Sequence, residues 1–382
     1  GGEIILKNGE ITGVLIDAAM NFIKIPEPSK QEAIQGLLDA QKICFSYGLT
    51  TVDDAGLDRN TIELIEELHQ QNSLKMRIYA MVSGDNQEQI DYYINKGIIK
   101  TDRLNVRSFK VYGDGALGSR GAAMRKPYSD RENHFGSLIY PPERYQVIAK
   151  QIVASEYQMN THAIGDSTNT WLLQIYKDVL KDEEDRRWRI EHAQIISSKD
   201  FQDFNNIMPS VQPTHATSDM YWAQERIGRD RMRGAYAYRN LLNRYGKIAL
   251  GTDSPVEQVN PFLTFFSATF RRDLEGYPEY GFQMENKLSR EETLKGMTIW
   301  AAFSNFEEKE KGSIEVGKLA DFVILDKNPL ENIRNTNTVL QIMKNGRLYN
   351  GNTLDEVYPR KKKADQFWWH TQKPMNLPGI KK

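Results

Sequence analysis

Three short stretches decide the fold that we predict: MNTHAIGD (159–166), RIEHAQ (189–194) and ALGTDSP (249–255). We interpret each stretch as a short buried strand. Each carries, near its end, a residue that can bind a metal or move a proton: His162, His192 and Asp253. Polar residues at the carboxyl ends of successive strands, with helices between the strands, are typical of the active site of a (β/α) barrel.

The same alternation extends along the chain from about residue 29, where Ser29 and Glu32 predict a capping box at the start of a helix, to a helix predicted at 289–303. Seven strands are predicted within 49–53, 75–82, 106–115, 159–165, 187–193, 208–214 and 247–253. Helices or long loops follow each strand, which predicts a parallel sheet covered by helices. We therefore expect the α/β class and a TIM (β/α)8-type barrel whose first strand is missing. A doubly wound open sheet is the alternative, but the Gly-rich phosphate turn that it requires is absent from the sequence.

The segments before and after the predicted barrel have a different pattern of residues. GEIILKNGEITGVLID (2–17) predicts a hairpin with Asn8-Gly9 at its turn, and Gly turns between short strands predict a β-rich segment near the end. The predicted divisions are an N-terminal hairpin segment (1–28), the barrel (29–310), a partial β-sandwich (311–350) and a tail (351–382). The tail contains Lys361–Lys363 and an aromatic group at 367–369, which favours a solvated charge run over a binding segment.

Composition narrows the class of protein. The 382 residues are 40% hydrophobic and 26% charged, and 50 Lys and Arg against 51 Asp and Glu give a net charge of −1. This balance favours neither a nucleic acid nor an acidic membrane as partner. The single cysteine, Cys44, excludes an intrachain disulfide and a Cys-rich metal cluster.

The residue types at the predicted strand ends point to metal chemistry. A lone strand-end histidine is usually structural, but His162 and His192 end adjacent strands and converge on one mouth of the barrel with Asp253. Imidazole nitrogens and carboxylate oxygens favour zinc or a similar divalent ion. Such an ion lowers the pKa of its water from 15.7 towards about 7. Asp253 is then placed to pass a proton to a leaving amine.

Several longer stretches together resemble the amidohydrolase superfamily, and within it the YtcJ-like branch (amidohydrolase 3 family), which includes N-substituted formamide deformylases. The stretches that carry this resemblance are YGLTTVDDAG (47–56), FKVYGDGALGSRGA (109–122), NTHAIGD (160–166), RIEHAQII (189–196), PSVQPTHATSDM (209–220), LGTDSPVE (250–257), TIWAAF (298–303) and KGSIEVGKLADFVILD (311–326). They extend from the first residues to about residue 350.

The resemblance implies a metal-bearing barrel flanked by a β-sandwich built from both chain ends. It implies that His162, His192 and Asp253 are metal ligands, and that Asp253 also shuttles protons. It further implies that Lys110 is carboxylated and bridges two metals, so one or two ions are expected. The alternative for Lys110 is an unmodified amine paired with a carboxylate such as Asp114.

One element of the family pattern is missing. The superfamily carries a His-x-His pair on its first strand, and the six histidines of this chain include no such pair. Gly1 also stands where an initiator Met is expected. We therefore interpret the chain as the later part of a longer protein whose upstream segment supplies the pair.

Two loops are expected to shape a substrate pocket. Asp114 and Arg120 lie in the loop after the Lys110 strand, where Arg120 either pairs with a substrate carboxylate or ties the loop to Asp130 or Glu132. His215 either donates to a substrate oxyanion or makes a structural hydrogen bond. The aromatic residues expected to line an acyl pocket are Tyr221, Trp222, Tyr236 and Tyr238.

The resulting hypothesis is a metal-dependent hydrolase of carbon–nitrogen bonds in a small amide, formamide or cyclic amide, excluding peptides. A non-catalytic binding or regulatory protein on the same barrel is the alternative. We expect a small-molecule amide substrate, no nucleic acid or membrane partner and a cytoplasmic location. A homo-oligomer stays open, as do the identity of the substrate and of the metal.

Overall fold

The structure is a computed structural model that describes residues 2–181, 183–329, 331, 332, 335, 336 and 338–364. Two compact units are present, one formed by 1–27 and 51–318 and the other by 28–50 and 319–382. Phe367, Trp368 and Trp369 of the predicted tail lie outside the described residues. No helix in the described ranges is long and apolar enough to cross a membrane.

The strands, in chain order, are β1 (Gly2–Lys7), β2 (Glu10–Asp17), β3 (Thr51–Leu57), β4 (Arg77–Ser83), β5 (Ile99–Lys100), β6 (Leu104–Tyr112), β7 (Gln158–Ala163), β8 (Arg189–His192), β9 (Met208–Val211), β10 (Ala249–Leu250), β11 (Phe322–Leu325), β12 (Val339–Lys344), β13 (Arg347–Asn350) and β14 (Glu356–Tyr358).

The α-helices are α1 (Lys30–Ser46), α2 (Arg59–Gln70), α3 (Gln87–Lys96), α4 (Pro142–Val153), α5 (Asp166–Leu180), α6 (Pro213–Asp219), α7 (Ala223–Met232), α8 (Tyr238–Tyr245), α9 (Pro261–Phe270), α10 (Arg290–Met297) and α11 (Ile299–Ser304). Short 3₁₀ helices occupy Ala18–Phe22, Phe201–Asn205 and Met284–Asn286.

The seven predicted strands form one parallel sheet in the order β10-β9-β8-β7-β6-β4-β3, and β5 adds an antiparallel edge to β6. This sheet curls. Asp53 on β3 and Arg189 on β8 are four strand spacings apart, which is about 19 Å in a flat sheet. Their side chains nevertheless meet, with Nη1 of Arg189 2.9 Å from Oδ2 of Asp53. The α/β prediction is therefore confirmed as a curled, barrel-like sheet of seven parallel strands.

Helices cover the outer face of this sheet because each has an apolar stripe. α2 buries Ile62, Ile65 and Leu68, and α5 buries Leu172 among other residues. Each fully buried aliphatic side chain stabilises the fold by about 1.5–3 kcal/mol relative to exposure. The opposite face of the sheet is far more polar, since neighbouring positions on β6, β7 and β8 carry Lys110, Asn160 and Arg189.

Several predicted boundaries are wrong. Of the strand predicted at 247–253, only Ala249–Leu250 is a strand. The strand predicted at 208–214 ends at Val211, because Pro213 begins α6 and cannot donate to a sheet ladder. The helix predicted at 289–303 is divided into α10 and α11, since Thr298 leaves the helical region with φ −129° and ψ −92°.

The N-terminal hairpin is confirmed. β1 and β2 pair antiparallel, and Asn8 and Gly9 have φ of 55° and 83° at the turn. The left-handed conformation of two successive turn residues is what an Asn-Gly hairpin requires.

The second unit contains α1 and an antiparallel sheet in the order β11-β12-β13-β14. The predicted capping box begins α1, where Ser29 and Glu32 bond each other's backbone amides. Asn345 and Gly346 make the predicted turn between β12 and β13, with φ of 50° and 72°. The partial β-sandwich itself stays a prediction.

Candidate metal centre

The carboxyl ends of β7, β8 and β10 place three predicted ligands at one end of the curled sheet. His162 is the penultimate residue of β7, His192 ends β8, and Asp253 lies three residues beyond β10. The rings of His162 and His192 are 4.5 Å apart between centroids. The ligand atoms of His192, His215 and Asp253 all lie within 4.8 Å of one another. The sequence-predicted residues therefore meet in space, and His215 joins them.

His215 reaches the cluster from a helix rather than from a strand end. Pro213 starts α6, so His215 lies in its first turn. Its ring stacks on His192 at 5.7 Å with an interplanar angle of 18°. Nε2 of His215 is 3.3 Å from Oδ2 of Asp253, and Nδ1 is 3.3 Å from Oε1 of Glu257. Both ring nitrogens are thus engaged by carboxylates.

The backbone is strained where the cluster is built. His192 has φ of 73°, Ala193 of 42° and Asp253 of 58°. Residues with a Cβ rarely adopt these values, and each such residue costs about 1–3 kcal/mol. Strain of this kind concentrates at functional sites, where surrounding structure holds it in place.

The two stacked imidazoles differ in protonation. Burial lowers the pKa of His192 well below its usual value, and the neighbouring His162, His215 and Lys110 lower it further. Burial also opposes the charged form of His215, but hydrogen bonds to Asp253 and Glu257 outweigh it and raise the pKa of His215 to about 9. At neutral pH His192 is therefore uncharged and His215 is an imidazolium.

A metal ion fits the His162 and His192 side of the cluster. Nδ1 of His192 is buried and finds no hydrogen-bond partner among the described residues, and neither does Nε2 of His162, which lies 3.4 Å from Oδ1 of Asp114 without hydrogen-bonding geometry. Buried polar atoms without partners are rare in folded proteins and call for an explanation. Neutral imidazole nitrogen is also the form that coordinates metals.

Lys110 lies on β6 beside this cluster. It is 5% exposed, and its Nζ sits 3.9 Å from the centre of the Tyr112 ring. Burial lowers its pKa, although Glu191, Asp253 and Asp85 oppose that effect. Within the described residues its Nζ makes no hydrogen bond or ion pair. The pairing with Asp114 that we considered from the sequence is therefore not seen.

Asp114 instead accepts hydrogen bonds from the surrounding loops and from α5. Its carboxylate accepts from the amides of Ala123, Ile164 and Gly165 at 2.8–3.0 Å and from Oγ1 of Thr168 at 2.7 Å. It is 2% exposed. These bonds fix the turn that directly follows His162, so the carboxylate positions the site and is not open to a ligand.

Arg120 is also committed to a protein partner. Its guanidinium donates to both oxygens of Asp130, at 3.1 and 2.8 Å, and Asp130 is shared with Arg226. Of the two roles that the sequence left open, the structure displays the one in which Arg120 ties down its loop.

The aromatic residues predicted to line a pocket divide into two groups. Tyr236 and Tyr238 are buried, and their hydroxyls donate to Asp219 and to the carbonyl of Gln212. Tyr221 is exposed and stacks on Tyr277 with ring centres 5.7 Å apart.

Two acidic residues near the cluster were missed from the sequence. Glu257 bonds His215 and accepts from Ser218 at 2.7 Å. Burial raises the pKa of Asp219 to about 6. Glu257 lies in LGTDSPVE, four residues after Asp253, and Asp219 lies in PSVQPTHATSDM, four residues after His215. This spacing was the only sign in the sequence that the two carboxylates lie near the site.

Comparisons with known proteins identify the family of this chain. The model of the amidohydrolase family matches residues 1–348. Protein LONG AFTER FAR-RED 3 of Arabidopsis thaliana is 33% identical, with 86% of this chain and 59% of that protein covered. The putative amidohydrolase YtcJ of Bacillus subtilis (strain 168) is 28% identical, covering 86% and 63%.

More distant similarity extends to an enzyme and to a solved structure. N-substituted formamide deformylase of Arthrobacter pascens is 21% identical, with 87% of this chain and 63% of the enzyme covered. An uncharacterized metal-dependent hydrolase from Pyrococcus horikoshii OT3 is 25% identical with a TM-score of 0.73, covering 84% of this chain and 66% of that one. The chain spans about three fifths of the length of the curated relatives it matches.

Proposed function

This chain belongs to the amidohydrolase family, and we propose that it is a metal-dependent hydrolase of a carbon–nitrogen bond in a small amide, formamide or cyclic amide. One observation carries the proposal: at the carboxyl ends of the sheet the buried His192 lies beside His162, with ring centres 4.5 Å apart, and in one cluster with Asp253 and His215. The names of similar proteins, a formamide deformylase and a metal-dependent hydrolase, support the same class of reaction.

In this proposal His162, His192 and Asp253 hold the metal, and zinc suits their nitrogen and oxygen donors. His215 shares the geometric cluster with His192 and Asp253, but we assign it a different role. Its ring is protonated and both nitrogens already face carboxylates. A protonated imidazole has no lone pair for a metal.

Lys110 is the residue that we propose as the carboxylated bridge of a two-metal site. Carboxylation needs a neutral amine, and the burial that lowers the pKa of Lys110 favours that form. The carboxylated side chain would be an anion that can bind a metal. No unpaired ammonium would then have to be buried, which is energetically unfavourable.

A bound divalent ion supplies polarisation of a carbonyl and a lowered pKa for water. The chain's own residues do the rest. The side chain of Asp253 is 38% exposed, so its carboxylate can accept a proton from water and deliver it to the leaving nitrogen. When substrate binds, Nε2–H of His215 exchanges its contact with Oδ2 of Asp253 for the carbonyl oxygen, on which negative charge develops. Glu257 keeps His215 oriented and charged through Nδ1.

The alternative is a non-catalytic binding or regulatory protein on the same fold. Activity decides between the two. Asp253→Asn keeps the size of the side chain but removes its basic oxygen, so kcat should fall about 10²–10⁴-fold on an amide that the metal-loaded protein hydrolyses.

The matched control is Asp102→Asn, which makes the same change at an exposed residue and should leave kcat unaltered. A panel of N-substituted formamides, cyclic amides and dipeptides identifies the responsive bond. Equal turnover by Asp253→Asn and the parent would contradict the role of Asp253. No turnover of any substrate by the metal-loaded parent would favour the regulatory alternative.

A further inference from the structure

A large groove lies outside the metal centre, between the turn after β8, the 126–129 loop, α7 and α8. The link from β8 to β9 carries only the five-residue 3₁₀ helix Phe201–Asn205, whereas the preceding units carry α-helices of 10–15 residues. The cavity is about 1180 Å³, somewhat larger than the roughly 300–1,000 Å³ of typical small-molecule sites. None of the four clustered site residues, His162, His192, His215 and Asp253, lines it.

The groove is strongly basic although the chain as a whole is nearly neutral. The cationic side chains along it are Arg125, Lys126, Lys199, Arg229, Arg233 and Arg244, and Arg231 lies in its wall. Only two of its described lining residues are acidic, Asp166 and Asp230. A concave surface lined by charges of one sign concentrates the field and attracts the opposite charge.

Most of these cations form no ion pair with the residues that the structure describes. Lys126, Lys199, Arg229, Arg233 and Arg244 are exposed, and none forms an ion pair with a residue that the structure describes. Arg125 has only a long contact, 3.9 Å, to Asp200. Cations held close together without partners repel one another, so an anionic ligand would relieve repulsion as well as form contacts.

Hydrogen bonds that do not involve the unpaired cations hold the walls of the groove in place. Half-buried Arg231 donates to the carbonyls of Lys126 and Pro127 at 2.8 and 2.7 Å and thereby ties the 126–129 loop to α7. The amide of Ile196 donates to the carbonyl of Gly234 at 2.9 Å. A Cβ on Gly234 would lie 1.9 Å from the carbonyl oxygen of Ile196, so only glycine permits this approach. A preformed groove of this kind binds with little ordering of the backbone.

We propose that this groove is a binding site for a small polyphosphate anion. Arginine forks and lysine ammonium groups match phosphate oxygens, and the exposed amides of Asn240 and Asn243 add neutral donors. Five unpaired cations exceed what one carboxylate would neutralise. The cavity is a bounded concavity and not a stripe along the surface, which favours a compact anion over a nucleic-acid strand.

The test is calorimetric titration of the full chain with sodium pyrophosphate and, separately, with orthophosphate. The proposal expects saturable binding of one pyrophosphate, weaker binding of orthophosphate, and affinity that falls as salt rises. Arg229→Ala with Arg233→Ala should weaken pyrophosphate binding by about tenfold or more, since charge-assisted hydrogen bonds are lost. A second pair on another wall, Lys199→Ala with Arg244→Ala, should act in the same direction.

The control pair is Lys150→Ala with Lys309→Ala, which removes two exposed charges away from the groove. It should retain the affinity of the parent, and circular dichroism should be the same for all variants. Absence of saturable pyrophosphate binding by the parent overturns the proposal. Equal binding by the groove variants also overturns it, because pyrophosphate would then be bound elsewhere, for example at the metal centre. Binding of a single-stranded oligonucleotide without binding of pyrophosphate does so as well.

Discussion

His192 and His215 lie with nearly parallel rings, yet their surroundings drive their protonation in opposite directions. Burial and the neighbouring His162, His215 and Lys110 lower the pKa of His192, whereas hydrogen bonds to Asp253 and Glu257 outweigh burial and raise the pKa of His215. The result is a neutral imidazole beside an imidazolium within a single cluster. We infer a division of labour, in which His192 serves as a metal ligand and His215 as a proton-bearing hydrogen-bond donor.

Lys110 provides a prediction at the same scale. If its amine is carboxylated, protein prepared with ¹³C-bicarbonate should display a carbamate carbon resonance that is absent from Lys110→Arg. The variant should also bind less metal, because a guanidinium cannot carry the bridging carboxylate. Lys150→Arg, an exposed control, should retain both the resonance and the metal. A parent spectrum without the resonance would argue for an unmodified lysine.

The sequence identified some of these residues and not others, for physical reasons. His162, His192 and Asp253 lie near the ends of predicted strands, so their convergence could be predicted from the geometry of a parallel sheet. Glu257 and Asp219 follow Asp253 and His215 by four residues, but the contact between Glu257 and His215 joins distant parts of the chain and no local pattern predicts it. Arg120 donates hydrogen bonds to Asp130, and Asp114 accepts them from backbone amides. Both sets of bonds depend on how the loop folds, which could not be predicted from its sequence.

At the scale of elements, an ion pair joins α8 to α10. The short strand β10 contacts α10, and Asp253 lies three residues beyond that strand. Arg239 of α8 donates to both carboxylate oxygens of Glu292 in α10 at 2.6 Å. Glu292 also completes a capping box, because it accepts from the amide of Ser289 at 2.7 Å. One carboxylate therefore caps a helix and links two helices.

This arrangement makes stability depend on pH. The hydrogen bonds to Arg239, helped by those to Ser289, lower the pKa of Glu292 from 4.5 to about 2 against the opposing effect of burial. A lowered folded-state pKa stabilises the protein above pH 4.5, and that contribution disappears as pH falls towards 2. Because the pair is partly exposed, we expect Glu292→Gln to lose only about 1 kcal/mol of unfolding free energy at pH 7.

Urea denaturation at pH 7 and at pH 3 measures this effect. The difference between Glu292→Gln and the parent should shrink at the lower pH, and Glu291→Gln on the same first turn is the control. A difference that stays constant with pH would mean that the lost stability does not come from the ionised carboxylate.

At the scale of the whole chain, the seven parallel strands and the two hairpin turns could be predicted, because strand runs, Asn-Gly pairs and helix caps are local signals. The curl of the sheet could not be predicted, since it depends on contacts between residues far apart in sequence. Arg189 and Asp53 are such a pair, and Asn305 completes the group by donating to Asp53 at 2.6 Å. The grouping of α1 with the C-terminal strands is likewise non-local.

Removing one member of that group tests its contribution. Asp53→Ala removes one of two carboxylates beside the guanidinium of Arg189, which is 1% exposed, and leaves Glu191 at 3.6 Å. Because Asp53 is exposed and Glu191, Ser304 and Asn305 still contact Arg189, we expect a loss of about 1–3 kcal/mol of unfolding free energy. Chemical denaturation of this variant and of exposed Asp102→Ala measures the difference. Equal stability of the two variants would mean that the pair adds little to the curled sheet.

The measurement that tests the central claim most directly is anomalous X-ray scattering from crystals of the protein grown with zinc. The account predicts a peak about 2.0–2.2 Å from an imidazole nitrogen of His162, from one of His192 and from a carboxylate oxygen of Asp253. A map with no peak between these side chains, or with zinc bound only at a site that excludes His162 and His192, would contradict it.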